Sequence, residues 1–527
     1  MADTIAATLI LPVLGDSPLA EGAAAGDLQW MMSAFAVPYA ALLASCGRLA
    51  DALGRRRMLL AGLMLFTAGA AVALAAPVLS VLLGARALQG VGAAAMIPAS
   101  LSLLLARITP HRRTLAIGIW SAAAGLGGVL MHGGGGWLAA QLGWHALLAP
   151  SMIIGVMLIL VTLAVPDAPA SGRLPDLVSS LLLLAGGAAL ILAISKGQAW
   201  GWRTPATIGT ATTAGALLLL TVWRSERHRV PAIDLQLWRR PAFALAGMIS
   251  LLYGMLSFGL LATAPLLLHQ TWSMGLAAVG VALAPISGGV LVTSLAAGPL
   301  LRRHGARSVI YTGVLITSAG ALWLLAHGLT SQPNLPVWAM ASAAIGCGLG
   351  AISTGASAAA ALSAGATHYA SAVGASMTAR QVGGALGVAG SVVLLQRPFL
   401  SGVLPGHASV IVVLIALSCL IGLLALLIAA PTPPPAPAAT RLTVEASATA
   451  PGPAPARHRE PSGASSREPA AGSAIPAQQR LPLMTMYATA AALVAATDFL
   501  LAQSGPASPG TTATSASAAA TSHSGAA

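Results

Sequence analysis

Two long apolar runs of this chain are joined by a strongly charged segment, Gly47-Arg48-Leu49-Ala50-Asp51-Ala52-Leu53-Gly54-Arg55-Arg56-Arg57-Met58-Leu59. The run before the segment covers about residues 28–46, and the run after it covers about residues 58–76. Each is close to the roughly 20 residues that a helix needs to cross a bilayer. Arginines are costly to place in hydrocarbon, and loops that carry them stay in the cytoplasm. We therefore predict that the segment is a short cytoplasmic loop between two transmembrane helices.

The composition of the 527-residue chain also indicates a membrane protein. Hydrophobic residues make up 57% and charged residues 7%, which leaves too little polar surface to cover a water-soluble globule. The formal net charge of +13 comes from arginines in short clusters between apolar runs, so we expect no nucleic-acid partner. The three cysteines lie inside apolar runs without paired spacing. This arrangement predicts neither a disulfide framework nor a metal site.

Apolar runs recur along most of the chain. There are fourteen, and they begin near residues 3, 28, 58, 78, 114, 144, 177, 206, 242, 274, 306, 336, 371 and 407. If the first run starts inside the cell, the loops after even-numbered runs hold fifteen arginines and the opposite loops hold three basic residues. This bias supports an even number of spans and places both termini in the cytoplasm.

The charged segment resembles a known family signature. Its residues Gly47, Asp51, Gly54, Arg55 and Arg56 are spaced as in the loop between the second and third helices of the major facilitator superfamily. The likeness covers about residues 3–430 and is greatest to the fourteen-span drug/proton antiporter branch. It implies an all-α integral membrane protein of the plasma (inner) membrane, with two six-helix bundles and two inserted linker helices.

This resemblance, with the composition, predicts four parts of the chain. Residues 1–165 form the N-terminal bundle, 166–241 the linker with two extra helices, and 242–430 the C-terminal bundle. Residues 431–527 are rich in Pro, Ala, Ser and Thr, and we expect a disordered cytoplasmic tail. The apolar segment 481–502 of that tail contains Asp498, and we expect it to lie on a surface or stay unstructured.

The first apolar run is too short for a complete span. From residue 2 to residue 14 a helix reaches roughly two-thirds of a hydrocarbon core about 30 Å thick. We expect the true start of the protein to lie upstream of Met1, with an abnormal first helix as the alternative. Asp3 matches the family's first-helix aspartate, and the resemblance makes it our first candidate for binding a coupled proton.

The fourth run carries Arg86-Ala87-Leu88-Gln89-Gly90-Val91-Gly92, similar to the family's Arg-x-x-Gln-Gly-x-Gly signature. A guanidinium inside an apolar run costs about 2.5–3.5 kcal/mol on insertion scales and faces a bundle interior or an aqueous cavity. We expect Arg86 to act in a proton relay or to line the cavity; a structural tie to backbone carbonyls is the alternative. We expect Gln89, Gly90 and Gly92 to serve the cavity and helix packing.

The fifth run is rich in glycine, and we expect Gly125, Gly128, Gly135 and Gly136 to give it a flat, kinkable surface. The family's antiporter signature has a Gly-Pro pair where this chain has Met131-His132. That pair is associated with the kink of the antiporter branch, so its absence weakens the prediction of proton exchange. His132 titrates in the physiological range when unperturbed and is a further coupling candidate. The alternative is a histidine satisfied by a neighbouring helix.

The second half of the chain echoes the first. Gly298-Pro299-Leu300-Leu301-Arg302-Arg303-His304-Gly305-Ala306-Arg307 repeats the opening charged segment, with Arg302 where Asp51 would fall. Such paired halves rock around a site near the bilayer midplane. In the thirteenth run, Arg380 and Gln381 belong to another sequence typical of the branch. We expect both residues to serve the cavity or helix packing, with Arg380 in a structural role near a helix end from which it extends to the interface.

The resemblance implies a secondary transporter and not an enzyme; the apolar runs and arginine clusters alone indicate only a membrane protein with many spans. The expected activity is proton-driven export of small amphipathic or cationic compounds by a monomeric unit, with Asp51 as part of a cytoplasmic gate. Asp51 could pair with Arg55 or with a helix N-terminus, and a static brace is the alternative. The chain has no Gly-x-x-x-x-Gly-Lys-Ser/Thr motif, so we expect the proton gradient to be the energy source, without a cofactor. A facilitator or symporter, and a non-transporting scaffold or degraded copy, remain alternatives.

Overall fold

The computed structural model of the protein describes residues 30–167, 170, 173–327, 332–396 and 406–428. All regular elements in these ranges are helices. Twelve of them are long and apolar enough to cross a membrane, by length and composition. This confirms the predicted all-α membrane fold. The first run with Asp3 and the tail 431–527 lie outside the described residues, so the expectations about them stay predictions.

The helices fall into three groups along the chain. The N-terminal group comprises α1 (Trp30–Leu53), α2 (Arg55–Leu74), α3 (Leu79–Arg107), α4 (Arg113–Leu142) and α5 (His145–Leu163). The linker group comprises α6 (Leu177–Trp200), α7 (Pro205–Arg227) and the short α8 (Leu235–Arg239). The C-terminal group comprises α9 (Pro241–Trp272), α10 (Leu276–His327), α11 (Leu335–Ala364), α12 (Tyr369–Gln396) and α13 (Gly406–Leu426). The domain boundaries predicted from the sequence stay predictions.

Helix α10 contains two membrane crossings. It has 52 residues and is interrupted by non-helical backbone at Gly305, where φ is 77°. A helix of that length would extend about 78 Å, far beyond a hydrocarbon core of about 30 Å. With its two parts counted separately, the helices begin close to thirteen of the fourteen predicted runs. The count of fourteen is not confirmed, because the first run lies outside the described residues.

The charged segment 47–59 is not the loop that we predicted. Helix α1 continues to Leu53 and α2 begins at Arg55, so that Gly54 alone connects them. Gly54 has φ 111°, a conformation that glycine adopts without the steric cost that a Cβ would impose. Most of the charged residues therefore lie on helix ends, where their side chains can reach neighbouring elements.

The two halves meet along two seams built on glycine. In the first seam, α1 packs on α12, and a Cβ at Gly47 would lie 2.4 Å from the Ala370 carbonyl oxygen. In the second seam, α4 packs on α10, and a Cβ at Gly125 would lie 2.5 Å from the Leu291 nitrogen. Small residues are used in this way in membranes because they let helix backbones approach closely. Each seam thus joins one helix of the N-terminal group to one of the C-terminal group.

The linker helices form a pair that packs beside the first seam. Gly187 of α6 lies against Ala41 of α1. Asp176 caps α6 by accepting a hydrogen bond from the Ser179 nitrogen at 3.0 Å, and Arg224 of α7 donates to the same carboxylate at 2.5 Å. The Arg224 hydrogen bond holds the pKa of the Asp176 carboxyl well below its ordinary value. The ion pair between Asp176 and Arg224 therefore holds the two linker helices together at one end.

The packing of the second seam predicts the effect of one substitution. Gly125→Val should lower the thermal midpoint of the purified protein in detergent, because overpacking a close contact costs about 1–3 kcal/mol. Gly133→Val is the matched control: it lies on the same helix, and a Cβ there meets nothing within 4 Å. Tryptophan fluorescence reports the thermal midpoints. Equal midpoints for the two variants would contradict the close contact between α4 and α10 at Gly125.

Candidate functional site

Asp51 connects the two halves at one end of the bundle. We call this end, where α1 turns into α2 and α10 is interrupted, the arginine-rich end. The Asp51 Oδ2 atom accepts hydrogen bonds from the Ser371 nitrogen at 2.8 Å and from the Ser371 Oγ at 2.6 Å. Its Oδ1 atom accepts one from the Ala370 nitrogen at 3.3 Å. Both nitrogens belong to the first turn of α12, where the helix dipole favours a negative charge.

Arg55 uses the same carboxylate and extends the connection. Its Nη2 donates to Asp51 Oδ1 at 3.1 Å and to the Ala366 carbonyl at 2.5 Å. Its Nη1 lies 3.5 Å from the Ser102 carbonyl at the end of α3. The side chain is buried, and its guanidinium lies 5.7 Å from the centre of the Tyr369 ring. Asp51 thus makes both of the contacts that the sequence suggested as alternatives.

Arg56 holds the start of α2 to the end of α5. Its backbone nitrogen donates to Asp167 Oδ1 at 3.1 Å. Its guanidinium donates to the carbonyls of Thr162 at 3.1 Å and Leu163 at 2.6 Å. Thr162 and Leu163 belong to the N-terminal group, and Asp167 follows it by a few residues. Arg56 therefore braces its own half, whereas Arg55 crosses to the other.

A third set of contacts ties the linker to both halves. Asp234 lies 3.8 Å from Arg48 of α1 and 3.4 Å from His368, which precedes α12. Arg48 also donates to the Pro231 carbonyl at 3.0 Å. One linker carboxylate therefore faces a basic group from each half at the arginine-rich end.

Arg86 lies in the interior of the N-terminal group. The side chain is fully buried on α3 and donates to Gln89 Oε1 at 2.8 Å. Its guanidinium lies 4.8 Å from the centre of the Phe35 ring. The predicted packing residues beside it are in close contact with neighbouring helices: a Cβ at Gly90 would lie 2.4 Å from the Phe35 carbonyl oxygen, and one at Gly92 would lie 2.5 Å from the Phe66 nitrogen. Arg86 and Gln89 thus form a polar pair among closely packed helices.

Arg380 occupies the interior of the C-terminal group, which corrects our expectation of a helix end. It lies about 16 Å into α12, at a rise of 1.5 Å per residue, and is too far from either terminus to reach an interface. Its guanidinium donates to Ser353 Oγ at 3.1 Å and Ser357 Oγ at 3.3 Å. It lies 4.6 Å from the centre of the Tyr253 ring. Gln381 follows it and is half-buried.

His132 lies in the second seam. It is buried, and its Nδ1 is 2.9 Å from Ser287 Oγ on α10. Helix α4 is continuous through Met131 and His132, so the glycines do not interrupt the helix in this conformation. They do produce a flat surface: Gly128 and Gly135 are buried, and a Cβ at Gly136 would lie 2.9 Å from the Ala277 Cα.

Several partners were not found by sequence reasoning. Ser371 and Asp167 accompany the charged segment, and Ser287, Ser353 and Tyr253 accompany the buried basic residues. They are separated from their partners by 27 to 320 positions in the chain. The internal repeat related the charged segment to residues 298–307, but it did not point to any of these partners.

The Asp51 contacts predict a change in accessibility at the first seam. Cys46 is buried there, in an apolar cluster with Tyr369 and Val373. Asp51→Asn, in a Cys347→Ala/Cys419→Ala background, should accelerate maleimide labelling of Cys46 by about tenfold or more. The reason is that charge-assisted hydrogen bonds contribute about 1.5–3 kcal/mol, and 1.4 kcal/mol is a factor of ten.

Asp176→Asn is the control for this measurement, because Asp176 bonds only within the linker group among the described residues. Labelling at the parental rate in Asp51→Asn would show that the carboxylate does not keep the seam closed.

Comparison of the sequence with known proteins identifies its family. The sequence profile of the Major Facilitator Superfamily matches residues 1–388. The chain is 32% identical to the multidrug resistance protein Stp of Mycobacterium tuberculosis over 301 residues, covering 56% of each chain. It is 33% identical to a puromycin resistance protein of Streptomyces alboniger, covering 68% of this chain and 73% of that protein. The match thus spans little more than half the length of Stp.

Solved structures agree on the fold. The human organic anion transporter MFSD10 aligns with a TM-score of 0.59 at 17% identity, covering 80% of this chain and 96% of that one. The proton:xylose symporter XylE aligns with a TM-score of 0.58 at 16% identity, covering 81% and 92%. With the matched profile and the two glycine-lined seams, these similarities establish that the chain belongs to the major facilitator superfamily.

Proposed function

We propose that the protein is a secondary transporter that exports small amphipathic or cationic compounds by proton antiport. The observation that carries the proposal is the Asp51 connection at the arginine-rich end, since it closes one side of the bundle through a few polar contacts. The names of the relatives support a drug-like substrate, among them multidrug resistance, puromycin resistance, and tetracenomycin C resistance and export. The membrane setting and a small-molecule substrate follow from the family.

In this proposal the arginine-rich end faces the cytoplasm. The positive-inside bias of the loops favours that orientation. In this proposal both termini lie in the cytoplasm and the protein lies in the plasma membrane. The described conformation is then closed to the cytoplasm. Opening requires Asp51 to release the first turn of α12, at a cost of a few kcal/mol for hydrogen bonds of this kind. That cost is small enough for substrate and proton binding to offset.

Proton coupling is assigned to the membrane interior. Within the described ranges all five carboxylates lie at or beyond helix ends, so Asp3 of the first run is proposed to carry the proton. Arg86, as part of a proton relay, and His132 are proposed as further coupling residues. The proton gradient serves as the energy source, without a cofactor, in a monomeric unit.

A proton-independent facilitator or symporter is a second candidate. The observation that favours it is the replacement of the family's Gly-Pro pair by Met131-His132 within an uninterrupted α4. In such a protein the two halves would still rock against each other, but solute movement would not depend on a proton-binding carboxylate.

Ethidium efflux from cells that express the chain tests the proposal. A protonophore should abolish the efflux, and Asp3→Asn should reduce it to the level of cells without the protein. Glu226→Gln is the matched control, since Glu226 is an exposed carboxylate on α7. Its efflux should equal that of the parent.

The alternatives give other results in the same assay. Efflux that persists with the protonophore and in Asp3→Asn would identify a facilitator. Absence of any flux from correctly inserted protein would favour a non-transporting membrane protein and overturn the proposal.

A further inference from the structure

The internal repeat relates the two seams residue by residue. Gly298 takes the place of Gly47, since a Cβ there would lie 2.8 Å from the Leu115 Cα of α4. Gly305 takes the place of Gly54, and both have positive φ, 77° and 111°. The facing helices correspond as well: a 3-10 turn precedes α12 at Ala366–His368 and precedes α4 at Pro110–Arg112. The two seams are therefore built on one plan at the arginine-rich end.

The repeat differs at the position that holds the first seam. There the Asp51 carboxylate accepts hydrogen bonds from Ala370 and Ser371 in the first turn of α12. In the second seam this position is Arg302, which lines one cavity with Thr114 and Leu115 of the first turn of α4. A cation now faces a helix end whose dipole is positive. That helix has Arg112 at its N-cap and no side-chain cap.

A cavity occupies the place of the missing carboxylate. It has a volume of about 450 Å³ and is lined by His111, Arg112, Thr114, Leu115, Gly298, Pro299 and Arg302. Three of these residues are basic, and all three are exposed. Within the ranges that the structure covers, no carboxylate forms an ion pair with any of them. Positive charge thus converges on an open cavity where the first seam has its anion.

We propose that the phosphate of an anionic phospholipid binds in this cavity, between Arg302 and Arg112, and takes the role that Asp51 has in the first seam. Guanidinium groups pair with phosphate through charge-assisted hydrogen bonds. Basic pockets between membrane helices at the cytoplasmic surface suit acidic headgroups. The lipid would close the second seam from outside the polypeptide.

The surface beside the cavity favours a lipid over a free anion. Leu295 lies seven residues before Arg302, on the same side of α10, and is 47% exposed. Val292 lies three residues before Leu295, on the same face of α10, and is 62% exposed. An acyl chain can therefore run along apolar residues that continue from the basic cavity towards the middle of the membrane. A soluble phosphate would leave these residues unused.

Native mass spectrometry and thermal midpoints of the purified full chain test this proposal. Phosphatidylglycerol in mixed micelles should remain bound and raise the midpoint, whereas phosphatidylcholine should not. Arg302→Gln and Arg112→Gln should each weaken retention of phosphatidylglycerol about fivefold, the effect expected for one basic side chain near an anionic surface. The assay needs no transport substrate, so its result is independent of the efflux experiment.

Arg302→Asp supplies the sharpest variant, because it restores the carboxylate of the repeat. It should abolish the phosphatidylglycerol effect and give, without added lipid, a midpoint at least equal to that of the parent. Arg303→Asp is the control: it makes the same charge change one residue away, at an exposed position outside the cavity lining. It should keep the lipid effect.

Two results would overturn the proposal. One is an equal response to phosphatidylglycerol in the parent, Arg302→Asp and both glutamine variants. The other is full reproduction of the effect by inorganic phosphate with phosphatidylcholine, which would identify a soluble anion as the ligand. Because binding is read directly by mass, a variant of lower stability still reports on the site.

Discussion

The pairing of one carboxylate with a helix N-terminus across the molecule is the contact on which the described conformation depends. Asp51 satisfies backbone donors of α12 and the guanidinium of Arg55 at once. It can do so only because Gly47 lets α1 approach the α12 backbone, where any Cβ would meet the Ala370 carbonyl oxygen. Steric fit and electrostatics therefore select the same arrangement. A change in either would release Arg55, which is buried and costly to leave unpaired.

The interior of the bundle shows a different use of charge. Each half places one arginine in the middle of a helix, Arg86 fully buried and Arg380 half-buried. Amide, hydroxyl and aromatic groups surround these two side chains. Phe35 stacks on Tyr39 with ring centres 5.5 Å apart, which lines α1 with aromatic faces near the arginine of the N-terminal half. In the described helices, a cationic solute would therefore meet aromatic rings in the interior, and a carboxylate only at the helix ends.

Sequence reasoning predicted the class of fold and the positions of most helices, because long apolar runs and arginine clusters are local signals. It missed what depends on distant partners. The charged segment was read as a loop, since its polarity cannot show that Asp51 bonds to Ser371, 320 positions away. Arg380 was placed at a helix end because apolar periodicity does not reveal Ser353 and Ser357 on the facing helix. The repeat was the exception, as it related two distant segments by sequence alone.

The connections at Gly54 and Gly305 each consist of a single residue between two membrane-spanning helices. Because each connection is a single residue, neither of the two connected helices can move along its axis without moving the other. Helix α1 in the first seam and the first part of α10 in the second seam are thus each coupled directly to the helix that follows. Any movement of α1 against α12 therefore carries α2 with it, and a displacement of α2 is transmitted through Gly54 to Asp51, three residues before it on α1.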